Sequence, residues 1–385
     1  MTFSITFVSN YINHHQLPFC DACFSQLGDG FVFIQTQPME TERLRSGWSD
    51  EGEKRGYLRY SYGKDEAIEE VFRLIDQSDV VLAGWCEDDV VEAAIQKRVM
   101  DEKLTFRISE RIFREGRWKV ISPRGLIRNY HERTRHRRRP YYLLSVGSYT
   151  AGDFRLIQSF PGKKYRWGYF PATIHYGEEL WQKKQTEEKI RIVWAGRFIP
   201  LKRPEQMIRL LHDLRRDGHE VVLDMIGGGE MEEELREMAA RCQVSQAVNF
   251  HGVCPPQQVR EIMEEGHIFV LTSNRREGWG AVLNEAMNSG CAVVASSQAG
   301  ATGFLIDDGV NGFAYHRGSY KQMYSLVKRL CDHPAEREQI ARRGYQTITE
   351  QWNGEDAATE LLICAEVLLK GDVFIPPLRG LMSEV

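Results

Sequence analysis

The chain has 385 residues, of which 42% are hydrophobic and 27% are charged. This length is enough for two domains with full cores, and this composition is ordinary for a soluble globular protein. The formal net charge of −4 excludes a general nucleic-acid binder and confines any basic surface to a local patch.

The chain starts with an apolar run that is only as long as a strand and has no basic residues before it. We therefore expect no signal peptide, and no apolar run approaches the roughly eighteen residues of a membrane span. The eight cysteines fit reduced cytoplasmic thiols. Cys20 and Cys23 form the one close pair, and without a second pair at zinc spacing they indicate a helix face rather than a metal or redox site.

The first half of the chain alternates apolar runs of strand length with segments of helical periodicity. Such β–α alternation predicts a parallel sheet. The predicted strands are Phe3–Ser9, Phe31–Thr36, Asp79–Trp85, Leu104–Ile108 and Tyr141–Val146. The predicted helices are 18–27, Asp65–Gln77 and Asp88–Met100, and 37–63 is predicted to be a polar excursion.

Polar residues follow two of these strands at the end where ligands of parallel sheets collect. The loop after the first strand contains Asn13, His14 and His15 and has no glycine, so it must bind through side chains. The two histidines fit a general base, an acceptor contact or a phosphate contact, and two solvent-facing residues are the alternative. Glu110 follows Leu104–Ile108, where an ion pair with a neighbouring arginine is the alternative to a functional role.

A strongly basic segment runs from Arg124 to Arg139 and ends in the block Arg133–Arg139. Leu126, Ile127 and Tyr130 add apolar character, which favours an amphipathic helix on an anionic membrane surface. A solvated face and an RNA-binding module are the alternatives, and the latter predicts steeply salt-dependent RNA binding.

Helical and strand periodicity is lost over 160–189, which predicts a linker there. Ile190–Trp194 then begins a second set of strands and leads into Gly196, Arg197 and Lys202. Arginine holds two phosphate oxygens as a fork, and lysine adds a compact charge, so this turn fits a diphosphate. Surface charge is the alternative. A later strand closes on a glycine turn that includes Gly228, and Val253 follows the next strand.

The most informative stretch is the loop between the predicted strands Ile268–Thr272 and Ala292–Ala295. Its two glycines, Gly278 and Gly280, let the backbone approach a ligand, and the start of the next helix offers unpaired N–H groups to a phosphate. Glu277 and Glu285 lie on either side. Since carboxylates repel phosphate, we expect both to accept hydrogen bonds from sugar or ribose hydroxyls. A solvated helix face behind a tight turn is the alternative.

The spacing of Glu277 and Glu285 around Gly-Trp-Gly resembles the donor-site signature of retaining glycosyltransferases of family 4, which have the GT-B architecture. The stretch Gly196-Arg197-x4-Lys202 is similar to a second element of that family. The resemblance implies an α/β fold with two Rossmann-like domains facing each other across a cleft. It places an acceptor domain at 1–184, a donor domain at 185–355, and a helical segment at 356–385 that crosses back to the first domain.

The resemblance also implies roles for individual residues. Arg197 and Lys202 would neutralise the departing diphosphate without a metal, Glu277 would hold the donor sugar, and Glu285 would hold the ribose. Glu110 would stand at the reaction centre, where relatives often carry a His-Asp pair. Further donor contacts are implied for Gly196, Gly228, Val253, Gly278, Trp279, Gly280, Ala281 and Val282. Acceptor contacts are implied for Asn13, His14 and His15.

The sequence therefore predicts a metal-independent, retaining hexosyltransferase. Its expected donor is a nucleotide sugar, with UDP-sugar favoured by the resemblance, and its expected acceptor is a glycan or lipid-linked molecule of cell-surface polysaccharide assembly. The expected location is cytoplasmic and peripheral on the inner face of the membrane. A small-molecule glycosyltransferase of the same fold and a non-catalytic nucleotide-sugar-binding protein are the alternatives.

Overall fold

The computed structural model describes residues 3–41, 54–63, 65–116, 122–186 and 189–385. Part of the predicted polar excursion, 42–53, lies outside these residues. The described chain forms two compact units, one made of the residues up to 172 together with Trp352–Val385, and the other made of Thr173–Gln351.

The first unit is built on a parallel sheet. Its described strands are β1 (Ile5–Ser9), β2 (Phe31–Gln35), β3 (Leu58–Tyr60), β4 (Val80–Ala83), β5 (Thr105–Ser109), β6 (Tyr141–Val146) and β7 (Lys164–Trp167), in the order β3-β2-β1-β4-β5-β6-β7. The described helices between them are α1 (Leu17–Leu27), α2 (Asp65–Gln77), α3 (Asp89–Met100), α4 (Pro123–Glu132) and α5 (Thr150–Leu156). The predicted β–α alternation is confirmed.

Central strands are continuous apolar runs because helices cover both faces of the sheet. All four residues of β4 are buried, and Val81 packs with Val71, Ile75 and Val91 from α2 and α3. The predicted start of α3 is confirmed, since Asp88 is its N-cap and its carboxylate accepts from the backbone N–H of Val90 at 2.9 Å.

The two edge strands β3 and β7 were not predicted. β3 is only three residues long, and β7 carries two basic residues within the sequence KYRW. Residues near 382–385 extend the β7 edge by antiparallel pairing, in which the N–H of Arg166 donates to the carbonyl of Ser383 at 2.9 Å. The pairing partner is therefore far away in the chain, and local periodicity does not contain it.

The second unit contains the other parallel sheet. Its strands are β8 (Ile190–Ala195), β9 (Val221–Ile226), β10 (Val248–Gly252), β11 (Ile268–Leu271), β12 (Ala292–Ser296) and β13 (Phe313–Tyr315), in the order β10-β9-β8-β11-β12-β13. Its helices are α6 (Glu178–Thr186), α7 (Glu205–Arg216), α8 (Glu232–Arg241), α9 (Pro256–Glu265), α10 (Val282–Asn288), α11 (Thr302–Leu305), α12 (Tyr320–Asp332) and α13 (Pro334–Glu350).

Helix α6 lies in the segment that was predicted to be a linker, and the structural division falls before 173 rather than near 184. The reason is tertiary. Leu180 and Trp181 are buried in the core of the second unit. His267 fixes the end of α6, because its ring Nε2 lies 2.8 Å from the carbonyl of Lys184 while its Nδ1 accepts from the N–H of Arg191. Burial lowers the pKa of His267 to about 4.

The chain then returns to the first unit in α14 (Gly354–Leu369). This helix packs against α1 at a close backbone approach. A Cβ on Gly354 would lie 2.6 Å from the backbone of Pro18, so only glycine fits there. Among the described residues, no helix combines the length and the hydrophobicity that crossing a bilayer requires.

Candidate active site

Two loops at the carboxyl ends of β8 and β9 are joined by backbone hydrogen bonds. The N–H of Gly196 donates to Ile226 at 2.9 Å, and the N–H of Phe198 donates to Gly228 at 2.8 Å. Gly227 has φ +131°, and a Cβ on it would lie 2.0 Å from the carbonyl oxygen of Gly196. This glycine therefore lets the two loops touch, at the edge where ligands of parallel sheets bind.

The loop after β8 also touches the loop after β11. The N–H of Asn274 donates to the carbonyl of Leu201 at 2.9 Å. The hydroxyl of Thr272, which is fully buried, donates to the carbonyl of Lys202 and accepts from the indole N–H of Trp194 at 2.8 Å. These bonds fix the backbone of Lys202 relative to β11.

The side chain of Lys202 forms an ion pair with Glu277. The two side chains are 17% and 14% exposed, so the pair is largely shielded yet open to a ligand. The structure thus joins the two motifs that the sequence placed seventy-five residues apart. Arg197 lies exposed on the same loop as Lys202.

The ion pair presents two kinds of group to a ligand. An ionised carboxylate accepts hydrogen bonds from hydroxyl groups, while an ammonium group attracts an anion. This pair can therefore recognise a sugar hydroxyl and a phosphate side by side.

The side chain of Trp279 is buried, and the donor contact of this residue remains a prediction. Its side chain is 1% exposed, and its indole N–H donates to the buried amide oxygen of Asn284 at 2.9 Å. The ring packs beside Phe304 at 6.3 Å between centroids. The indole is thus a core group that supports the loop, because a ring of this size is stabilised by burial, and only the backbone of Trp279 is left for the predicted contact.

The residues after Trp279 form the tight turn that enters α10. Gly280 has φ +97°, a left-handed conformation that disfavours a side chain. Gly278 and Ala281 are buried, Val282 is half-buried, and the N–H of Leu283 already donates to Gly280 at 2.9 Å. The predicted helix here is present, and Gly290, with φ +69°, follows its end.

Glu285 lies one helical segment further, on α10. Burial raises the pKa of its carboxyl, and the neighbouring Arg260 opposes that rise. The guanidinium of Arg260 donates to the backbone carbonyl of Glu285 at 3.1 Å and to the side chain of Asn288 at 2.8 Å. Arg260 was not singled out in the sequence, and it holds the helix that carries Glu285.

Gly228 and Val253, both predicted donor contacts, lie together. A Cβ on Gly228 would come within 3.2 Å of a methyl group of Val253. Val253 is 55% exposed, so its side chain is available to cover a flat ring.

The predicted acceptor residues belong to the first unit. Asn13 builds the turn into α1, since its side-chain oxygen accepts from the N–H of His15 at 3.0 Å and its amide donates to Gln16 at 2.9 Å. Its side chain thus helps to hold the loop, and the acceptor contact of Asn13 remains a prediction. The rings of His14 and His15 lie 3.9 Å apart.

Glu110 accepts a hydrogen bond from the hydroxyl of Tyr169 at 2.6 Å and pairs with Arg114. The ring of Tyr169 in turn stacks on His15 at 6.2 Å. Tyr169 therefore links the end of β5 to the loop after β1. It lies in the stretch without periodicity, and the sequence offered no signal for it beyond being an aromatic residue among glycines.

Comparisons with known proteins identify the second unit. The family described as "Glycosyl transferases group 1" matches residues 177–347. The second unit is a glycosyl transferases group 1 domain. That assignment covers the glycine turns, the Lys202–Glu277 pair and Glu285.

Among proteins with similar sequences, a GDP-mannose-dependent alpha-(1-6)-phosphatidylinositol monomannoside mannosyltransferase of Mycobacterium tuberculosis is 24% identical over 189 residues, 48% of this chain and 49% of that protein. The amylovoran biosynthesis glycosyltransferase AmsK of Erwinia amylovora is 25% identical over 186 residues, 47% of this chain and 45% of that protein. The chain thus spans about half the length of the curated relatives that it matches.

Among solved structures, Anabaena Alr3699/HepE in complex with UDP has a TM-score of 0.70 at 13% identity and covers 94% of this chain and 99% of that chain. This likeness extends beyond the glycosyl transferases group 1 domain to the first unit. It shows the fold, and the predicted α/β class with two Rossmann-like domains of the GT-B type is confirmed.

Proposed function

We propose that this protein is a glycosyltransferase that moves a hexose-type sugar from a nucleotide sugar to a glycan or lipid-linked acceptor. The observation that carries the proposal is the Lys202–Glu277 pair, which puts a cation and a carboxylate next to each other at one ligand-binding edge. The relatives named as glycosyltransferases support the activity, and AmsK supports polysaccharide assembly as the setting.

The donor would be held across the carboxyl edge of the second sheet. Lys202 and Arg197 would bind the diphosphate, Glu277 the sugar hydroxyls, and Glu285 the ribose, with the base beside Val253. UDP is the proposed nucleotide because the similar HepE structure holds UDP. The mycobacterial relative acts with GDP-mannose, so guanosine donors belong in any test.

Bond cleavage would be assisted mainly by electrostatics. As the glycosidic bond breaks, charge develops on the departing diphosphate, and fixed cations stabilise it by a few kcal/mol each. Two side chains, Lys202 and Arg197, supply this charge, which supports metal independence. Retention of configuration follows from the family resemblance: the acceptor would attack from the face that the diphosphate leaves, and the phosphate would take its proton.

The test is nucleotide release from a panel of UDP-, GDP- and ADP-sugars by the purified full chain with EDTA present. We expect one donor to be hydrolysed slowly, and Glu277→Ala to lower that rate by about 100-fold or more because the sugar loses its anchor. Glu265→Ala is the matched control, since Glu265 forms a surface ion pair with Lys183. NMR should show that the first anomer released has the configuration of the donor.

Each other outcome has a definite meaning. Tight nucleotide binding without release from any donor would indicate a non-catalytic nucleotide-sugar-binding protein. Loss of release on adding EDTA would contradict metal independence, and release of the inverted anomer would contradict retention. Equal losses in Glu277→Ala and Glu265→Ala would contradict the role given to Glu277.

We further propose that α4 rests on an anionic membrane surface, which would place a cytoplasmic enzyme next to a lipid-linked acceptor. Leu126, Ile127 and Tyr130 on this helix are 46%, 61% and 55% exposed. Arg124 and Arg128 are exposed beside them. An apolar face with flanking cations fits a membrane interface better than it fits water.

The structure changes which residues should be tested for this contact. The predicted block Arg133–Arg139 is not a uniform free surface, because Arg133 pairs with Glu132 and donates to Asn129 at 2.6 Å. Arg139 donates to the carbonyl of Met100, and His136 is buried. Changing all five arginines would disturb this packing as well as the charge.

We therefore expect the triple variant Leu126→Gln/Ile127→Gln/Tyr130→Gln to lose flotation with phosphatidylglycerol vesicles, while wild type floats. Each apolar side chain buried in the membrane interface contributes about 1 kcal/mol or more to binding. The fraction of protein that floats with the vesicles should therefore fall at least about tenfold. Ile363→Gln, at a 42% exposed position on α14, is the control. Flotation that survives in the triple variant, or that fails equally in the control, would rule out α4 as the contact.

A further inference from the structure

An exposed tryptophan lies at the carboxyl edge of the first sheet. Trp85 follows β4 after a single glycine, and its side chain is 67% exposed. An aromatic side chain of this kind can bury roughly 150–250 Å², and most of the surface of Trp85 is open to a ligand.

The backbone beneath this ring is fixed on both sides. The N–H of Gly84 donates to the carbonyl of Val8 at 2.7 Å, and the hydroxyl of the buried Ser9 donates to the carbonyl of Trp85 at 3.4 Å. A Cβ on Gly84 would lie 2.8 Å from that hydroxyl, so glycine permits the close approach. On the other side, Asp88 caps α3. The backbone that carries Trp85 is thus fixed by the packing of β4 against β1.

The position in the sheet is the one at which ligands bind. In the order β3-β2-β1-β4-β5, the strands β2 and β3 lie on one side of β1, whereas β4 and β5 lie on its other side. The direction in which strands are added therefore reverses between β1 and β4. In open α/β sheets, ligands occupy the crevice outside the strand ends at such a reversal.

Polar residues follow the strands on both sides of β4, the strand that leads to Trp85. Asn10 follows β1, and Glu110 follows β5, with β4 between those strands. Neighbouring strands are about 4.8 Å apart, so each strand end is within the width of a sugar ring from the next. An aromatic face between two polar edges is what a pyranose requires.

Building on the proposed function, we propose that Trp85 is the platform on which one sugar ring of the acceptor stacks. One face of a pyranose is lined by C–H groups whose hydrogens carry partial positive charge, and the face of an indole ring is negative. The hydroxyls project around the rim, where Glu110 can accept hydrogen bonds from them. Trp85 would thereby select acceptors that present a C–H face.

The charge around Trp85 decides against a lipid surface as its occupant. Glu87, Asp88 and Asp89 follow it after Cys86, and Glu87 and Asp89 are exposed. This acidic run repels anionic headgroups, in contrast to the basic surroundings of α4. A neutral carbohydrate is not repelled by this negative charge.

The proposal is tested on the full chain by saturation-transfer NMR with the methyl α- and β-pyranosides of glucose, galactose and mannose. We expect wild type to saturate at least one glycoside, most strongly at the C–H protons of one ring face. Trp85→Ala should lower that signal about fivefold, because stacking is lost, whereas Trp85→Phe should keep most of it. Leu369→Ala is the control, as Leu369 lies beside Leu104 and Pro140 at the opposite ends of the strands.

Three results would overturn the assignment of Trp85: no glycoside saturated by wild type, equal signals in wild type and Trp85→Ala, or an equal loss in Leu369→Ala. Flotation with phosphatidylglycerol vesicles that depends on Trp85 would also overturn it, in favour of lipid. Donor hydrolysis by the same wild-type preparation separates the two proposals. If the protein hydrolyses a donor but no glycoside gives a saturation-transfer signal, only the proposal for Trp85 is contradicted. If the signal depends on Trp85 but no donor is hydrolysed, the sugar-binding role of Trp85 is supported and the proposed transferase activity is not.

Discussion

Replacing Lys202 by methionine is expected to lower the rate of nucleotide release at saturating donor by about 100- to 1,000-fold. The ammonium group would stabilise the charge that develops on the diphosphate, and its side chain is held in a shielded position by Glu277. Methionine keeps the length of the side chain and removes the charge. The measurement is the rate of nucleotide release from the donor that wild type hydrolyses.

The control for this variant is Lys183→Met, because Lys183 forms an exposed pair with Glu265 and such pairs contribute little. A double variant, Lys202→Met/Glu277→Ala, adds a second criterion. Residues that act as a unit lose their effect together, so the double variant should be little slower than the worse single variant. Multiplicative losses would show that the two residues act independently, and an unchanged rate in Lys202→Met would remove this lysine from the mechanism.

Replacing Gly227 by alanine is expected to destabilise the second unit by about 2–6 kcal/mol, the sum of the strain of a side chain in left-handed backbone and the overlap of its Cβ. That Cβ would lie 2.0 Å from the carbonyl oxygen of Gly196, which is backbone and cannot rotate away. The loops after β8 and β9 must therefore separate. Calorimetry should show that the midpoint temperature of thermal unfolding is lowered by about 5–20 °C.

The neighbouring Gly228→Ala is the matched control for stability. Its φ does not fall in the left-handed region, and its Cβ would meet only side-chain atoms, a methyl group of Val253 at 3.2 Å and the carboxylate of Glu232 at 3.7 Å. We expect the free energy of unfolding to change by about 1 kcal/mol or less. Alanine restricts the unfolded chain more than glycine does, and this stabilising effect offsets part of the crowding in the folded protein. Similar transitions for Gly227→Ala and wild type would show that the two loops are not held in contact in solution.

Separation of these loops should also weaken UDP binding, because Arg197 and Lys202 follow Gly196 on one of them. The effect is measured by calorimetric titration at a temperature where the variant is folded. Unchanged affinity in a destabilised Gly227→Ala variant would mean that the glycine contact serves stability alone.

Local sequence predicted the parts of the fold in which each residue's environment follows from its near neighbours. Buried runs such as β4 are continuous because both faces of a parallel sheet are covered, and α3 begins at Asp88 because its cap lies beside it in the chain. The edge strands β3 and β7 were missed since their partners are distant and their sequences are half polar.

The same distinction applies to the site. The residue types that suit a nucleotide sugar, Arg197, Lys202, Glu277 and Glu285, were recognisable by their order and by the glycines around them. The contacts made by the residues around them could not be recognised in this way. Sequence order does not reveal that the side chain of Trp279 is buried, that the side chain of Asn13 forms hydrogen bonds within its own turn, or that the hydroxyl of Tyr169 donates a hydrogen bond to Glu110.

By itself, the sequence determined a β–α alternation, two parallel sheets and the chemistry of a phosphate- and hydroxyl-binding edge, because these depend on periodicity and on residue type. Only the tertiary structure decided which side chains meet there. Lys202 and Glu277 are brought together by Thr272 and by the contact between the loops after β8 and β11. The backbone beneath Trp85 is fixed by the packing of Gly84 against Ser9. Both arrangements depend on strands that are adjacent in space and distant in the chain, and local patterns carry no information about such pairs.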